Sequence, residues 1–395
     1  MRCLARLRTR LGVLLLPALV GCGEPPGLDA GVDAGPPPPR EDAGPRTFQD
    51  GPPPLPDTPY APRTLAAAYN PGPPSTTEPL GTPLGEWTWV DQPRTRCLDG
   101  SSTGMVVSRG TGEGLIVYMQ EGGAAWDRHS LSYGVSRTRF REEDASILRR
   151  ESSYSWLFDR DDDSNPFRDW SFVFLPYCSG DVFAGNVVDS ALGTMHTGAV
   201  NVEIALERLV PTFGEVERVL VAGSSAGGFG AALNFHRIQQ AFPDAEASLV
   251  NDSGPPLPDP YMPVCLQRKW RDTWGLDRTL PAECDACRDP SGGGMANLYA
   301  WLAERYPDRR FGTMTHEHDF VIRAFYSGAY IANCSGFTIY PRIYFADGLA
   351  ELERTLIDPA PNMHLYVSEG ADHMFLLRGG SVGERAFVEG IVFGS

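Results

Sequence analysis

Ser225 stands in Gly223-Ser224-Ser225-Ala226-Gly227, a serine with a glycine two residues away on either side. That G-x-S-x-G spacing is what a nucleophilic serine needs on a tight turn between a strand and a helix. The backbone there is strained, so the neighbours must be small, and the helix that follows aims backbone N–H groups at developing negative charge. The flanks fit. Arg218 to Ala222 is a short apolar run that reads as a buried strand, and Ala226 to Phe242 carries apolar residues at helical spacing. An isolated G-x-S-x-G is commonly an ordinary turn; the strand before it and the helix after it make Ser225 a candidate nucleophile.

A serine nucleophile requires a base, and the base requires a group to orient it. In α/β-hydrolases the order along the chain is serine, acid, histidine, each on a loop after a strand. Of the seven histidines, His129, His196 and His236 come too early or fall in helical pattern. His364 lies inside a strand run, and His316 and His318 precede the last strand. His373 follows the strand run Leu365-Tyr366-Val367, where the base belongs. Asp319 follows the strand-like Arg310 to Met314, one strand ahead of His373, and is the leading acid; Asp252, one strand earlier, ranks next. Glu317 is a near miss in position, and Asp372 is too close to His373 to point at it from a loop. Glu121-Gly122-Gly123 closes another apolar run, and glycine there lets the backbone approach a substrate carbonyl. Ala226 and a backbone N–H of this loop, Glu121 to Trp126, are therefore the candidate oxyanion donors.

The elements that must hold these residues are legible as alternation. Trp87 to Val90 reads as an edge strand. Leu115 to Met119, Phe172 to Leu175, Arg218 to Ala222, Ala247 to Val250 and Leu365 to Val367 read as strands with both faces buried. Helical spacing recurs over Gly198–Leu209, Ala226–Phe242, Met295–Tyr306, Phe320–Ile331 and Leu349–Ile357. Strands alternating with helices predict an α/β fold of the α/β-hydrolase kind, a mostly parallel sheet covered by helices on both faces.

The first 85 residues are of another kind. Residues 1–10 hold four arginines, residues 11–20 are apolar, and Leu19-Val20-Gly21-Cys22 resembles a lipobox. The pattern predicts a bacterial lipoprotein signal over 1–21, with Cys22 carrying a lipid anchor; a plain secretory signal is the simpler alternative. Residues 22–85 are rich in Pro, Gly and Asp and predict a tether without a core, ahead of one large domain over 86–395. A net charge of −16 excludes nucleic acid and anionic membrane surface as partners, so contact with a membrane is expected through the anchor alone. Cys97, Cys178, Cys265, Cys284, Cys287 and Cys334 remain, an even number that suits disulfides in an exported chain. Cys284-Asp285-Ala286-Cys287 lacks a second C-x-x-C or suitably spaced histidines, and the acidic run 159–163 lacks calcium-loop spacing, so neither predicts a metal.

Several blocks together resemble the pectinacetylesterase/Notum family of serine carboxylesterases. Cys97-Leu98-Asp99-Gly100-Ser101 is similar to its C-x-D-G-S block, Glu121-Gly122-Gly123 to its oxyanion loop, Pro176-Tyr177-Cys178-Ser179-Gly180-Asp181-Val182 to its P-Y-C-S/T-G-D-V block, and Gly223 to Gly228 to its G-x-S-A-G-G turn. The resemblance implies Ser225 as nucleophile, Asp319 as acid, His373 as base, and Gly123 and Ala226 as oxyanion donors. It also implies a Cys97–Cys178 disulfide, leaving three connectivities open for the other four cysteines. Ala125 stands where relatives carry a cysteine, and His373 is followed by Met374 rather than cysteine.

The expectation is an exported, monomeric, cofactor-free serine hydrolase of carboxylic esters, acting on acetyl esters of extracellular polysaccharide, and held in the cell envelope or secreted. A long-chain deacylase is the second expectation, with Phe229, Phe320 and Phe375 as lining for an acyl tunnel. A catalytically silent glycan-binding lipoprotein is the third.

Overall fold

The computed structural model describes residues 66–394 except 75, 150–153, 189, 290, 291, 293, 327–333, 335–338 and 378. The signal, Cys22 and the first part of the expected tether lie outside the described residues. Residues 66–85 lie along the domain. The Val188 N–H donates to the Ala67 carbonyl at 2.8 Å, the Tyr69 hydroxyl donates to the Arg94 carbonyl at 2.6 Å, and Leu80 is buried.

Among the described residues, eight strands form one sheet: β1 Thr88–Gln92, β2 Thr103–Ser108, β3 Gly114–Met119, β4 Ser171–Leu175, β5 Arg218–Ser224, β6 Glu246–Asp252, β7 Phe311–His316 and β8 Met363–Ser368, in the order β1-β2-β4-β3-β5-β6-β7-β8. β2 pairs antiparallel with both β1 and β4, and every other neighbouring pair is parallel. Successive residues of the central strands point to opposite faces, so Leu115, Val117, Val219 and Val221 enter one core while Ile116, Tyr118, Leu220 and Ala222 enter the other. This is why these strands read as unbroken apolar runs.

The helices are α1 Arg128–Tyr133, α2 Ser146–Arg149, α3 Gly198–Phe213, α4 Ala226–Ala241, α5 Val264–Trp274, α6 Gly294–Arg305, α7 Phe320–Phe325, α8 Arg342–Leu352 and α9 Val382–Phe393. α3, α4, α5, α6 and α8 supply the first core with residues such as Leu209, Phe235, Trp274, Leu302 and Phe345. The second core is closed by α9 and by aromatic residues of the connection before β4, among them Trp156, Phe158 and Phe167.

Several elements depart from the sequence expectation, the short α1 and α2 among them. β2 was not expected: its apolar centre is short, and Gly104 is there because Trp89 of β1 crosses it so closely that a Cβ would lie 2.5 Å from the ring. α5 and α9 were not expected either. α5 buries a narrow apolar stripe, Leu266, Trp270 and Trp274, together with Arg271, among Arg268, Lys269 and Asp272. The helix expected over 349–357 is the end of α8, which begins after Pro341 and continues as one wide turn over Glu353–Ile357.

Candidate active site

β5 lies between β3 and β6 and delivers Ser225 at its carboxyl end. Ser225 has φ 55° and ψ −117°, a conformation that costs an L-residue about 1–3 kcal/mol. The surroundings hold it there. Its N–H donates to the Asp252 carbonyl at 2.7 Å, and its own carbonyl accepts from Gly228 and Phe229 at 2.9 and 3.2 Å. The glycines are required by contact: a Cβ on Gly223 would lie 2.3 Å from the Gly227 carbonyl oxygen, and one on Gly227 would lie 1.9 Å from that of Met119. The Ala226 N–H opens the first turn of α4, where no carbonyl four residues back is available to it.

The loop after β3 is fixed just as closely. Gly123 has φ +75° and bridges Val135, and a Cβ there would lie 1.8 Å from the Gly134 carbonyl oxygen. Gln120 ties the loop to the end of β4: its N–H donates to the Leu175 carbonyl at 3.1 Å and its side-chain oxygen accepts the Tyr177 N–H at 3.0 Å. Glu121 accepts the Tyr154 hydroxyl at 2.6 Å.

Asp319 and His373 meet. Asp319 begins α7, where its Oδ1 accepts the Ile322 N–H at 2.9 Å, and its Oδ2 lies 2.7 Å from His373 Nδ1. A carboxylate only accepts, so Nδ1 donates, and in the neutral ring Nε2 keeps its lone pair. Nε2 is buried and has no hydrogen-bond partner among the described residues. The two loops are strapped together by backbone bonds: Glu317 to Ser368, His318 to Gly370 and Phe320 to Ala371, at 2.8, 2.9 and 3.1 Å.

Asp252, second in rank as the acid, does not bond His373. It is fully buried, and its carboxylate accepts the Phe375 and Leu376 N–H groups at 3.0 Å, the Ser224 hydroxyl at 2.6 Å and the Ser253 hydroxyl at 2.9 Å. Ser224 in turn accepts from the Tyr118 hydroxyl at 2.8 Å, and Ser253 accepts the Met374 N–H at 3.0 Å. Burial pushes the Asp252 carboxyl up, opposed by these bonds. Asp252 thus fastens the loop carrying His373 to the residue that also holds the Ser225 N–H. His316, at the end of β7, stacks on Phe375 at 4.1 Å with its rings 9° apart, and burial lowers its proton affinity.

A small pocket opens beside Ser225, lined by Gly123, Ser225, Ala226, Phe229, Trp270 and Phe325 among others. About 10 Å³ is open to the centre of a water-sized sphere, room for about one water. Of the three phenylalanines expected along an acyl tunnel, only Phe229 is here. Phe320 is 52% exposed, and Phe375 packs into the opposite core against His316 and Tyr366. Neighbouring position in sequence pointed at Phe320 and Phe375, but a helix start and a loop turned both away. Trp270 and Phe325 come from segments that carried no chemical signal.

The six domain cysteines pair as Cys97–Cys178, Cys265–Cys334 and Cys284–Cys287. Beside the first pair, Asp181 is fully buried and accepts from the Ser179 hydroxyl at 2.6 Å and the Gly198 N–H at 2.7 Å, so it anchors the start of α3. The acidic run 159–163 is spent on turns and ion pairs: Asp162 binds Arg385 at 2.6 Å, and Asp163 binds Arg168.

A central parallel sheet with a strained serine turn after β5 and a histidine–aspartate pair on the loops after β7 and β8 defines an α/β-hydrolase fold. In structure the chain is similar to the Wnt deacylase Notum from Drosophila, with a TM-score of 0.52, 20% identity, and coverage of 74% of this chain and 86% of that one. The pectinacetylesterase family profile matches residues 85–287, just over half of the chain, and the chain belongs to that family. In sequence it is 25% identical over 160 residues to palmitoleoyl-protein carboxylesterase notum2 of Xenopus laevis, covering 40% of this chain and 33% of that one. It is 28% identical over 176 residues to human palmitoleoyl-protein carboxylesterase NOTUM, covering 40% and 34%. The aligned stretch thus spans about a third of the length of these relatives.

Proposed function

We propose that this chain is an exported serine carboxylesterase that removes short acyl groups, acetyl foremost, from polysaccharide outside the cell. The observation that carries the chemistry is the 2.7 Å His373–Asp319 bond, which leaves Nε2 with its lone pair on a loop that Asp252 ties to the Ser225 turn. Ser225 Oγ attacks the acyl carbonyl carbon while Nε2 takes its proton, and Asp319 retains the bond to Nδ1–H and steadies the imidazolium. The Gly123 and Ala226 N–H groups hold the oxyanion. Collapse breaks the ester bond and returns the proton to the leaving alcohol; water, deprotonated by Nε2, then releases the acid and restores Ser225. Every step is supplied by side chains and backbone of one copy, so the reading requires neither a cofactor nor a second subunit.

The pocket favours a short acyl group. With room for about one water among the described residues, it is nearer in size to the methyl of an acetyl group than to a long chain. The alternative is a long-chain deacylase, favoured by the relatives' activity on palmitoleoyl-protein. Hydrolysis of p-nitrophenyl esters from acetate to palmitate, beside Ser225→Ala, tests both. Acetate should be cleaved fastest, and Ser225→Ala should lower kcat by about 10⁴-fold or more. Full activity in that variant refutes the mechanism, and a rise toward palmitate refutes the short-acyl reading. If no ester is cleaved and Ser225 also fails to react with a fluorophosphonate in folded protein, the silent glycan-binding reading takes its place.

A further inference from the structure

Trp270 of α5 lines two cavities. One is the pocket beside Ser225; the other is walled by Leu233, Met262, Leu276, Leu280 and Met295 among others, with about 40 Å³ open to the centre of a water-sized sphere. Trp270 is 3% exposed and is held by rings on three sides: Phe229 edge-on at 5.8 Å, Trp126 at 5.8 Å and Trp274 stacked at 4.9 Å. Its indole N–H has no hydrogen-bond partner among the described residues. Packing alone fixes the ring, and removing it strands no acceptor. Arg271, which also lines the second cavity, is already engaged by the Cys287 carbonyl at 2.9 Å and by Asp277 at 2.8 Å. Gln267, Arg268 and Asp289 add polar groups at this cavity, but most of its wall is apolar, and such a wall accepts hydrocarbon more readily than water.

We infer that Trp270 sets the acyl-length limit of this chain: its indole is the partition that closes the pocket at Ser225 against a second cavity able to take the further methylenes of a longer acyl chain. The inference rests on the esterase reading above and adds the residue that decides between short and long substrates. Taking the indole away joins the two spaces and lets the chain run past position 270 between Leu233 and Met262.

The test is kcat/KM for p-nitrophenyl acetate, butyrate, hexanoate and octanoate with the parent, Trp270→Ala and Trp270→Leu, the leucine keeping more of the packing should alanine fail to fold. Octanoate titrated calorimetrically into the same proteins gives a readout that needs no turnover. The octanoate-to-acetate ratio should rise at least about tenfold in the variants, in line with what one or more methylenes are worth in an apolar pocket. Octanoate should bind the variants and not the parent. Folded variants that keep the parent's chain-length profile and bind no octanoate overturn the inference. Variants that bind octanoate while neither they nor the parent cleave any ester support the partition and instead sink the esterase reading.

Discussion

Asp252→Ala removes an acceptor that four buried donors share. Two of them have somewhere else to go: the Ser224 hydroxyl already contacts the Tyr118 hydroxyl at 2.8 Å, and the Ser253 hydroxyl can turn about its own bond. The Phe375 and Leu376 N–H groups cannot turn, and each buried donor left unmade costs about 1–3 kcal/mol, so alanine should destabilise by about 2–6 kcal/mol. Asp252→Asn should cost far less, about 1 kcal/mol, because one amide oxygen can occupy the Oδ2 position and still serve Ser224, Phe375 and Leu376. The effect on rate follows from geometry. His373 lies two residues before the first stranded N–H, and a displacement of about 1 Å at a catalytic group costs about 10²-fold. Urea unfolding at pH 7 and kcat/KM on p-nitrophenyl acetate, each on parent, Asn and Ala, read the two effects separately. An alanine variant as stable as the parent would refute the anchoring role. An asparagine variant that keeps stability and loses activity completely would move Asp252 from positioning into the chemistry. The pH dependence adds a sign: the folded carboxyl lies above its ordinary 3.8, so parent stability should fall as pH rises through the interval between the two values, and the Asn variant should not show that fall.

His196 should make the fold sensitive to acid. It is buried between the Ser179 carbonyl at 3.0 Å and the Thr194 hydroxyl at 3.1 Å, and burial lowers its pKa from 6.5 to about 4. Its stabilising contribution is present above pH 6.5 and lost as pH falls through about 4, amounting to about 3 kcal/mol. The urea midpoint should drop over that window in the parent and markedly less in His196→Gln; parallel drops would exonerate His196. Asp181 nearby cannot mimic the effect, since burial raises its pKa and its contribution runs the other way. If Cys22 carries the lipid, the full chain should fractionate with membranes and Cys22→Ser should appear in the soluble fraction; an unchanged distribution would leave a plain secretory signal.

What was legible in the chain was what local sterics dictate. Gly223 and Gly227 are within two residues of Ser225, so the constraint that makes the turn is written beside it. β3, β4, β5 and β6 were legible because burial on both faces leaves no polar alternation to obscure them. The contact between Asp319 and His373 followed from strand order alone. Asp252 as an anchor was not legible, because its partner at Phe375 is 123 residues away and nothing local to either residue marks the pair. α5 was hidden by its own charges: Leu266, Trp270 and Trp274 form one row at intervals of four, and the residues between them are mainly basic and polar. The pocket was misread for the same reason, since its wall is set by how α5 and α7 pack and not by which residues neighbour Ser225 or His373 in the chain.

The bond from Asp252 to the Phe375 and Leu376 N–H groups also bears on biosynthesis. Everything up to β7 can be made and still leave a carboxylate at the end of β6 without its two backbone donors, because these arrive only after β8. A chain cut short before His373 therefore lacks its histidine and also holds a frustrated acid in its centre, so it is expected to open readily to proteases. Synthesis and quality control would then share one checkpoint: placement of the His373 loop and completion of the core are the same event, and no truncated product should persist long beside the finished chain.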